Sequence, residues 1–476
     1  MTYFRQIYDE GLAQAAYIVG DADSGKAVVV DPLRDIDQYL DHLNDRGYEL
    51  AGVLETHIHA DFLSGAREMA HATGAPLYIS AETVEGWEYQ GLEGLDVVEM
   101  NDGDVLTLGD VELEAVHTPG HTPEHLSFLV RDTGQTASPM LLLTGDFAFV
   151  GDLGRPDLLE EAAGEADTAR PGGLQLFDAV DERLLELPDH VQIWPGHGSG
   201  SACGKALGDV PSSTVGYERQ GAWWARFFQQ EEGKEAFVDE LLDGQPPSPT
   251  YFKQMKLLNR DGPAILGRLP EVPRLMPKRA QEAIDNGALV LDLRDLKSFA
   301  QGHIKGAVNL PSLKNLSNHA GWVVPYGREL LLVARPEEVD EAMRRLIRIG
   351  LDDLVGYIPA DRLAETVDGE LRQFEVVGDP DELYAYWKEA DVQVVDARSP
   401  KEYGAGRIPE AMEGYYGRLP SRLDEVARDK PIITHCEAGT RAAIAASLMG
   451  AVTDEAITIF TGGFRGWKKS GLPVEE

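Results

Sequence analysis

Leu50-Ala-Gly-Val-Leu-Glu55 is a short apolar run, and Thr56-His57-Ile58-His59-Ala60-Asp61 follows it directly. This junction decides how the first half of the chain is read. The run predicts a strand. Two histidines and an aspartate just after it gather ligand-type side chains at one strand end, where loops on a rigid scaffold build sites. The pattern recurs further along. A strand predicted at Val111–His117 leads to Thr118-Pro-Gly-His121-Thr122, one at Met140–Thr144 to Gly145-Asp146, and one at Val191–Trp194 to Pro195-Gly-His197-Gly198. More strands are predicted at Leu77–Ser80 and Leu126–Val130. Ala15–Val19 and Ala27–Asp31 read as a pair around the polar turn Asp21–Gly25, and Ile36–Arg46 as a helix stopped by Gly47. Imidazoles and carboxylates from separate strand ends can converge on one cation. These donors suit zinc, iron or manganese and need no thiolate. The glycines beside Asp146 and His197 fit tight turns.

The 476 residues are too many for one core and imply three domains. No apolar run is long enough for a membrane-spanning helix. The first ten residues have neither a basic flank nor an apolar stretch, which argues against a secretory signal. Two cysteines exclude a disulfide framework and point to a reduced, cytoplasmic chain. Acidic residues number 81 against 43 basic, a net charge of -38, and only 14 of the basic residues are lysine. Such a surface disfavours nucleic acid. It fits a salt-rich, halophilic cytoplasm in which self-repulsion is screened.

From Tyr217 to Leu258 the pattern turns helical, and Trp223, Trp224, Phe227 and Phe228 read as core that docks these helices. Asp243–Pro249 is a turn-rich break, and the three prolines of Leu269–Pro277 predict a linker. Beyond it the sequence repeats. Asp292-x-Arg294 and Gly302-His303-Ile304 recur, 104 residues on, as Asp396-x-Arg398 and Gly406-Arg407-Ile408. Each copy alternates strand and helix, which predicts two α/β units with mainly parallel sheets. In the second copy, Pro431-Ile-Ile-Thr-His-Cys436 is a strand ending in a cysteine. The loop Glu437-Ala438-Gly439-Thr440-Arg441 opens a helix after it. Loop N–H groups and a helix N-terminus stabilise a thiolate or a bound anion, and Arg441 can add its guanidinium. The first copy has Ala334-Arg335-Pro336 after its equivalent strand, with no cysteine, and so reads as a structural or docking domain.

Taken together, His57, His59, Asp61, His121, Asp146 and His197 resemble the metallo-β-lactamase superfamily over residues 3–255. Asp396-x-Arg398, the Cys436–Arg441 loop and Gly462-Gly463-x-x-Gly466-Trp467 resemble the rhodanese sulfurtransferases. The implied fold is an N-terminal αββα sandwich (1–258), a rhodanese-like α/β domain without the cysteine (276–365) and an active-type rhodanese domain (375–476). Binuclear hydrolases of the superfamily carry a histidine after the aspartate, and here Phe62 stands there. The chain therefore resembles the persulfide dioxygenase branch. That resemblance implies one Fe(II), with zinc as the alternative, held by His57, His121 and Asp146. His59, Asp61 and His197 would lie around the metal or face substrate. Cys203 is either a reactive thiol beside the metal or an inert packed residue. The implied reaction turns a low-molecular-weight thiol persulfide and oxygen into thiol and sulfite, and sulfur transfer through a Cys436 persulfide makes or uses thiosulfate. Implied partners are these small molecules and further copies of the chain, as a dimer or tetramer. Rival readings are a glyoxalase II-like thioester hydrolase using metal-bound hydroxide and a sulfur-carrying scaffold with a vestigial metal site.

Overall fold

All eight residues of Gln14–Asp21 are buried, and this strand, β2, lies between two others in a sheet. β1 (Thr2–Asp9) and β3 (Lys26–Val30) flank it antiparallel, and β4 (Glu49–Leu54), β5 (Leu77–Ser80) and β6 (Val97–Met100) continue the sheet in parallel. A second six-stranded sheet runs β12-β11-β10-β9-β8-β7. Its strands are β7 (Val105–Thr107), β8 (Val111–His117), β9 (Leu126–Asp132), β10 (Pro139–Gly145), β11 (Gln192–Pro195) and β12 (Ser213–Thr214). The computed structural model describes residues 1–158, 160, 167–230 and 233–476. They form two compact units. One is Met1–Leu269 with Ile347–Gly350; the other is Pro270–Leu346 with Leu351–Glu476.

In the first unit the inner faces of both sheets share one core. Tyr17, Val28 and Leu54 meet Leu113, Phe128 and Leu143 there. The outer face of the second sheet packs Leu129, Leu142 and Ile193 under helices through Leu176, Trp224, Phe227 and Phe237. On the outer side of the first sheet lies helix Asp37–Arg46, whose Tyr39 and Leu43 are buried; Gly47, at φ +73°, ends it. The expected αββα sandwich is therefore present, and the aromatic group after Tyr217 is core, with Phe228 stacked on Phe177 at 4.2 Å. Residues 231–232 of that expected helical stretch lie outside the described residues. The boundary expected at 258 falls inside helix Phe252–Asp261, so the first unit runs further. Among the described residues no helix is long and apolar enough to cross a membrane.

The second unit holds two wholly parallel sheets with one shared plan. The first runs β14 (Val308–Asn309), β13 (Leu289–Asp292), β15 (Leu330–Ala334), β16 (Leu354–Pro359). The second runs β19 (Met412–Glu413), β18 (Gln393–Asp396), β20 (Ile432–His435), β21 (Ile457–Phe460), β17 (Glu375–Val377). The repeated Asp-x-Arg does the same work in each copy. Arg294 pairs with Asp292 and donates to Gly302 O at 2.8 Å; Arg398 pairs with Asp396 and donates to Gly406 O at 2.7 Å. The proline-rich linker is corrected in part. Leu275 N donates to Tyr357 O and Tyr357 N to Pro273 O, both at 2.9 Å, so residues 273–275 extend the first sheet where β17 extends the second. Pro273 lacks an N–H but keeps its carbonyl, which suffices at an edge.

Within the first unit Arg348 is buried and forks onto two buried carboxylates. Nε and Nη2 reach Asp35 at 2.8 and 2.6 Å, and Nη1 reaches Asp9 at 2.6 Å. Its carbonyl accepts Leu63 N at 2.7 Å, directly below the His57–Asp61 turn. Losing one partner of a buried pair leaves charge without compensation. Arg348→Met is therefore expected to destabilise the first unit by about 3–5 kcal/mol. Scanning calorimetry checks this; an unshifted first transition would show that the pair contributes little.

Candidate metal centre and cysteine loop

Five strands deliver buried polar side chains to one end of the sandwich. Asp31 follows β3, His57, His59 and Asp61 follow β4, His121 follows β8, Asp146 follows β10, and His197 follows β11; each is at most 5% exposed. The turn after β4 is built on Asp31. Its carboxylate accepts Thr56 N and Thr56 Oγ1, both at 2.8 Å, and lies 3.1 Å from His59 Nε2. Because Thr56 Oγ1 donates to Asp31, it accepts from His57 Nδ1 at 2.9 Å. His121 Nδ1 donates to Arg155 O at 3.1 Å, and His197 Nδ1 to Ala13 O at 3.0 Å. In all three rings the outer nitrogen is thus engaged, and the network assigns Nε2 as the inward donor atom.

Donor atoms of His57, His121 and Asp146 lie within 4.8 Å of one another, and so do those of Asp61, His197 and Cys203. Asp146 faces both groups. Its Oδ2 is 3.6 Å from His121 Nε2 and its Oδ1 is 3.4 Å from His197 Nε2, yet neither oxygen accepts a hydrogen bond among the described residues. Two buried carboxylate oxygens left this way, opposite imidazole lone pairs, fit a bound cation. Electrostatics agree. Burial, reinforced by the neighbouring imidazoles of His59, His125 and His121, holds the His57 pKa well below its usual value, so the ring is neutral. Burial likewise lowers that of His121, against the pull of Asp146. At His59 burial would lower the pKa, but Asp31 raises it to about 9. Burial also opposes the charged form of His197, but Asp146 and Asp61 outweigh it and raise that pKa well above normal; a cation there would release a proton. Phe62 is fully buried with its ring 4.4 Å from His59, and offers no donor. Burial pushes the Cys203 thiol up to about 12.

Cys436 ends β20 as expected. Its Sγ accepts Gly439 N at 3.1 Å, and helix Thr440–Gly450 starts immediately after. Gly439, at φ +96°, makes that turn after Glu437 and Ala438. Arg441 follows at the start of that helix and lies within electrostatic reach of Cys436. Its guanidinium forks onto Glu402 at 2.5 and 2.9 Å. Burial would raise the Glu402 pKa, but Arg441 and Ser399 hold it at about 2. Arg441 therefore braces the loop while its positive charge stays near Cys436.

The sequence pattern of the metallo-beta-lactamase superfamily matches residues 9–197, and that of the rhodanese-like domain matches 276–345 and 379–470. A solved metallo-beta-lactamase from Staphylococcus aureus subsp. aureus COL is 37% identical. It superposes with a TM-score of 0.66 over 75% of this chain and 99% of that one. The chain belongs to the metallo-beta-lactamase superfamily. Its C-terminal part carries rhodanese-like domains. A 30% identical protein of Mycobacterium leprae, ML0493, matches 45% of this chain and 94% of its own length. BaeB of Bacillus velezensis, named a probable polyketide biosynthesis zinc-dependent hydrolase, is 22% identical over 44% of this chain and 84% of its own.

Several groups that shape this metallo-beta-lactamase-fold site escape the sequence reading. Asp31 obeys the strand-end rule and could have been found by it. His125, four residues after His121, accepts Asp146 N at 3.1 Å and is itself tied to Thr118 Oγ1 at 2.9 Å. Glu124 accepts Ile58 N at 2.8 Å, and burial raises its pKa to about 7. Asn259 donates to His59 O and Phe62 O at 2.8 and 2.7 Å from a helix 200 residues away, with no local signal. Gly145 has little freedom. At φ +47°, a Cβ there would lie 2.7 Å from both His125 Nε2 and Thr56 Oγ1. Gly145→Ala should lose most bound metal by elemental analysis. Gly200→Ala, also at positive φ (+98°) but in open space, should keep it; equal metal in both would show that the close approach is not required.

Proposed function

We propose that the chain is a persulfide dioxygenase coupled to sulfur transfer. It would oxidise a low-molecular-weight thiol persulfide at one iron held by His57, His121 and Asp146, and pass sulfur through Cys436. The observation that carries the reading is the unpartnered Asp146 carboxylate beside two neutral imidazoles, with Phe62 where a further histidine would make a binuclear hydrolase site. Ferrous iron held by two imidazoles and one carboxylate supplies open positions where dioxygen and a soft sulfur ligand can react. The chain's own residues orient and shield that centre. Thr56, Arg155 and Ala13 fix the three rings, His125 fixes Asp146, and Phe62 and Phe149 exclude water beside His59 and His197. The overall change is persulfide, dioxygen and water to thiol, sulfite and two protons.

At the second site the Cys436 thiolate attacks the outer sulfur of thiosulfate. The S–S bond breaks, sulfite leaves with the bonding pair, and a cysteine persulfide remains. Gly439 N–H and the helix N-terminus stabilise the anionic sulfur. In reverse, the persulfide hands its outer sulfur to sulfite, so the two activities share sulfite as a common species. The first copy has Arg335-Pro336 in place of such a loop and serves as scaffold.

Elemental analysis of protein purified without added metal should find one iron per chain, lost in His121→Ala. Zinc in its place, together with thioester hydrolysis, would overturn the iron reading. Cys436→Ser should abolish sulfur transfer from thiosulfate and leave persulfide-dependent oxygen uptake, with sulfite accumulating where the parent makes thiosulfate. Loss of oxygen uptake in Cys436→Ser would show that the two chemistries are not separable.

A further inference from the structure

Cys436 is 1% exposed, so other groups must cover its sulfur. Part of that cover comes from the first repeat. A Cβ on Gly439, whose N–H holds the sulfur, would lie 3.4 Å from Leu296 Cδ1, so the first residue of helix Leu296–Gln301 rests on the cysteine loop. Helix Leu316–Val323 adds two rings. Trp322 packs on Tyr415 and Tyr416, with centroids at 5.3 and 6.3 Å, and a Cβ on Gly417 would overlap it. His319 stands edge-on to Tyr416 at 5.7 Å. Arg441 links these rings to the thiol, since its charge reaches Cys436, Tyr415, Tyr416 and His319. Burial, with Arg441 nearby, lowers the His319 pKa to about 4, so that ring is neutral, and its Nδ1 meets no partner among the described residues. A third element of the first repeat secures the contact. Asn309 N donates at 3.0 Å to Ser447 Oγ, in the helix that starts from the cysteine loop.

We propose that Leu296, His319 and Trp322 are specificity-determining residues of the Cys436 site, a wall that admits compact inorganic sulfur acceptors of the sulfite class and turns away bulky thiols. The inference rests on the sulfur-transfer reading of Cys436 given above. A solution thiolate RS⁻ that reached the loop would attack the outer sulfur of the Cys436 persulfide. The S–S bond would break, RSS⁻ would form, and Cys436 would leave as the thiolate. Sulfite takes the same outer sulfur by the same exchange and gives thiosulfate. Since the bond broken is the same, access decides between the two acceptors. Leu296 and the rings beside it leave a thiol the size of glutathione no approach to a sulfur this deeply covered, whereas sulfite is compact. The repeat without a cysteine thus acts on the chemistry of its neighbour, by side chains that need no cysteine of their own.

Alkylation of the full chain by N-ethylmaleimide, followed by peptide mass spectrometry, measures access to Cys436, with Cys203 in the other unit as internal reference. Leu296→Ala should speed modification of Cys436 relative to Cys203 by at least about tenfold. Acceptor choice is read on chain loaded with sulfur from thiosulfate and then freed of it. The parent should pass that sulfur to sulfite and hardly to glutathione. Leu296→Ala and Trp322→Ala should raise the glutathione-to-sulfite ratio at least about tenfold, and Leu296→Met, which conserves volume, should keep the parent ratio. Calorimetry identifies a variant whose second unit no longer folds; where Leu296→Ala is such a variant, Leu296→Val carries both readings. Equal modification of Cys436 in the parent and the folded variant, or a parent that gives sulfur to glutathione as readily as to sulfite, overturns the proposal. A parent that takes no sulfur from thiosulfate would instead sink the transfer reading, and the alkylation rates would still decide whether the wall exists.

Discussion

Burying carboxylates and imidazoles in the same dry space is costly unless every acceptor meets a positive partner. Asp31, Asp61, Asp146, His57, His59, His121 and His197 all lie at the end of the sandwich under that constraint. The chain meets it in two ways. Acceptors that only position the site are satisfied internally, as Asp31 is by Thr56 and His59. Acceptors that face the centre are left for something else. The outer nitrogens of His57, His121 and His197 each find an oxygen, so the inner ones are free to converge. Strand positions, the Gly145 turn and the Asn259 clamp on the His59–Phe62 backbone all serve to hold that arrangement.

The second unit shows how a duplicated frame separates from its chemistry. Asp292–Arg294 and Asp396–Arg398 make matching bonds, and both sheets carry the same strand order. What differs is the turn after the central strand. β20 leads to Cys436 and a glycine at φ +96°; β15 leads to Arg335 and Pro336, which begin a short helix. The frame survives because its energy lies in buried apolar strands and the Asp–Arg pairs, and none of these needs the cysteine.

Much of this was legible in the sequence, for physical reasons. Strands that feed the metal centre are short apolar runs closed by glycine, proline or a polar ligand, so their ends were visible. β7 and β12 lie at the edges of a sheet; one is largely exposed and the other only two residues long, and such strands leave little hydrophobic pattern. Residues 273–275 read as linker because proline suggested a break, although an edge pairing needs from Pro273 only its carbonyl. The partner of Arg441 was out of reach because Glu402 lies 39 residues earlier, in the short helix Pro400–Gly404. Whether Cys203 faced the pocket or packed away depended on the path of a glycine-rich loop, which spacing alone leaves open.

The first unit is discontinuous along the chain, because Ile347–Gly350 belongs to it. This has a consequence for synthesis on the ribosome. After residue 269 emerges, the sandwich has all its strands, but the guanidinium that neutralises Asp9 and Asp35 is still untranslated. At ordinary elongation rates that interval lasts on the order of ten seconds. During it the nascent sandwich lacks the Arg348 fork onto Asp9 and Asp35. The seal over the underside of its ligand turn comes only when most of the first repeat has been made. Ile347–Gly350 are thus the late-made segment whose arrival completes the unit that begins at Met1.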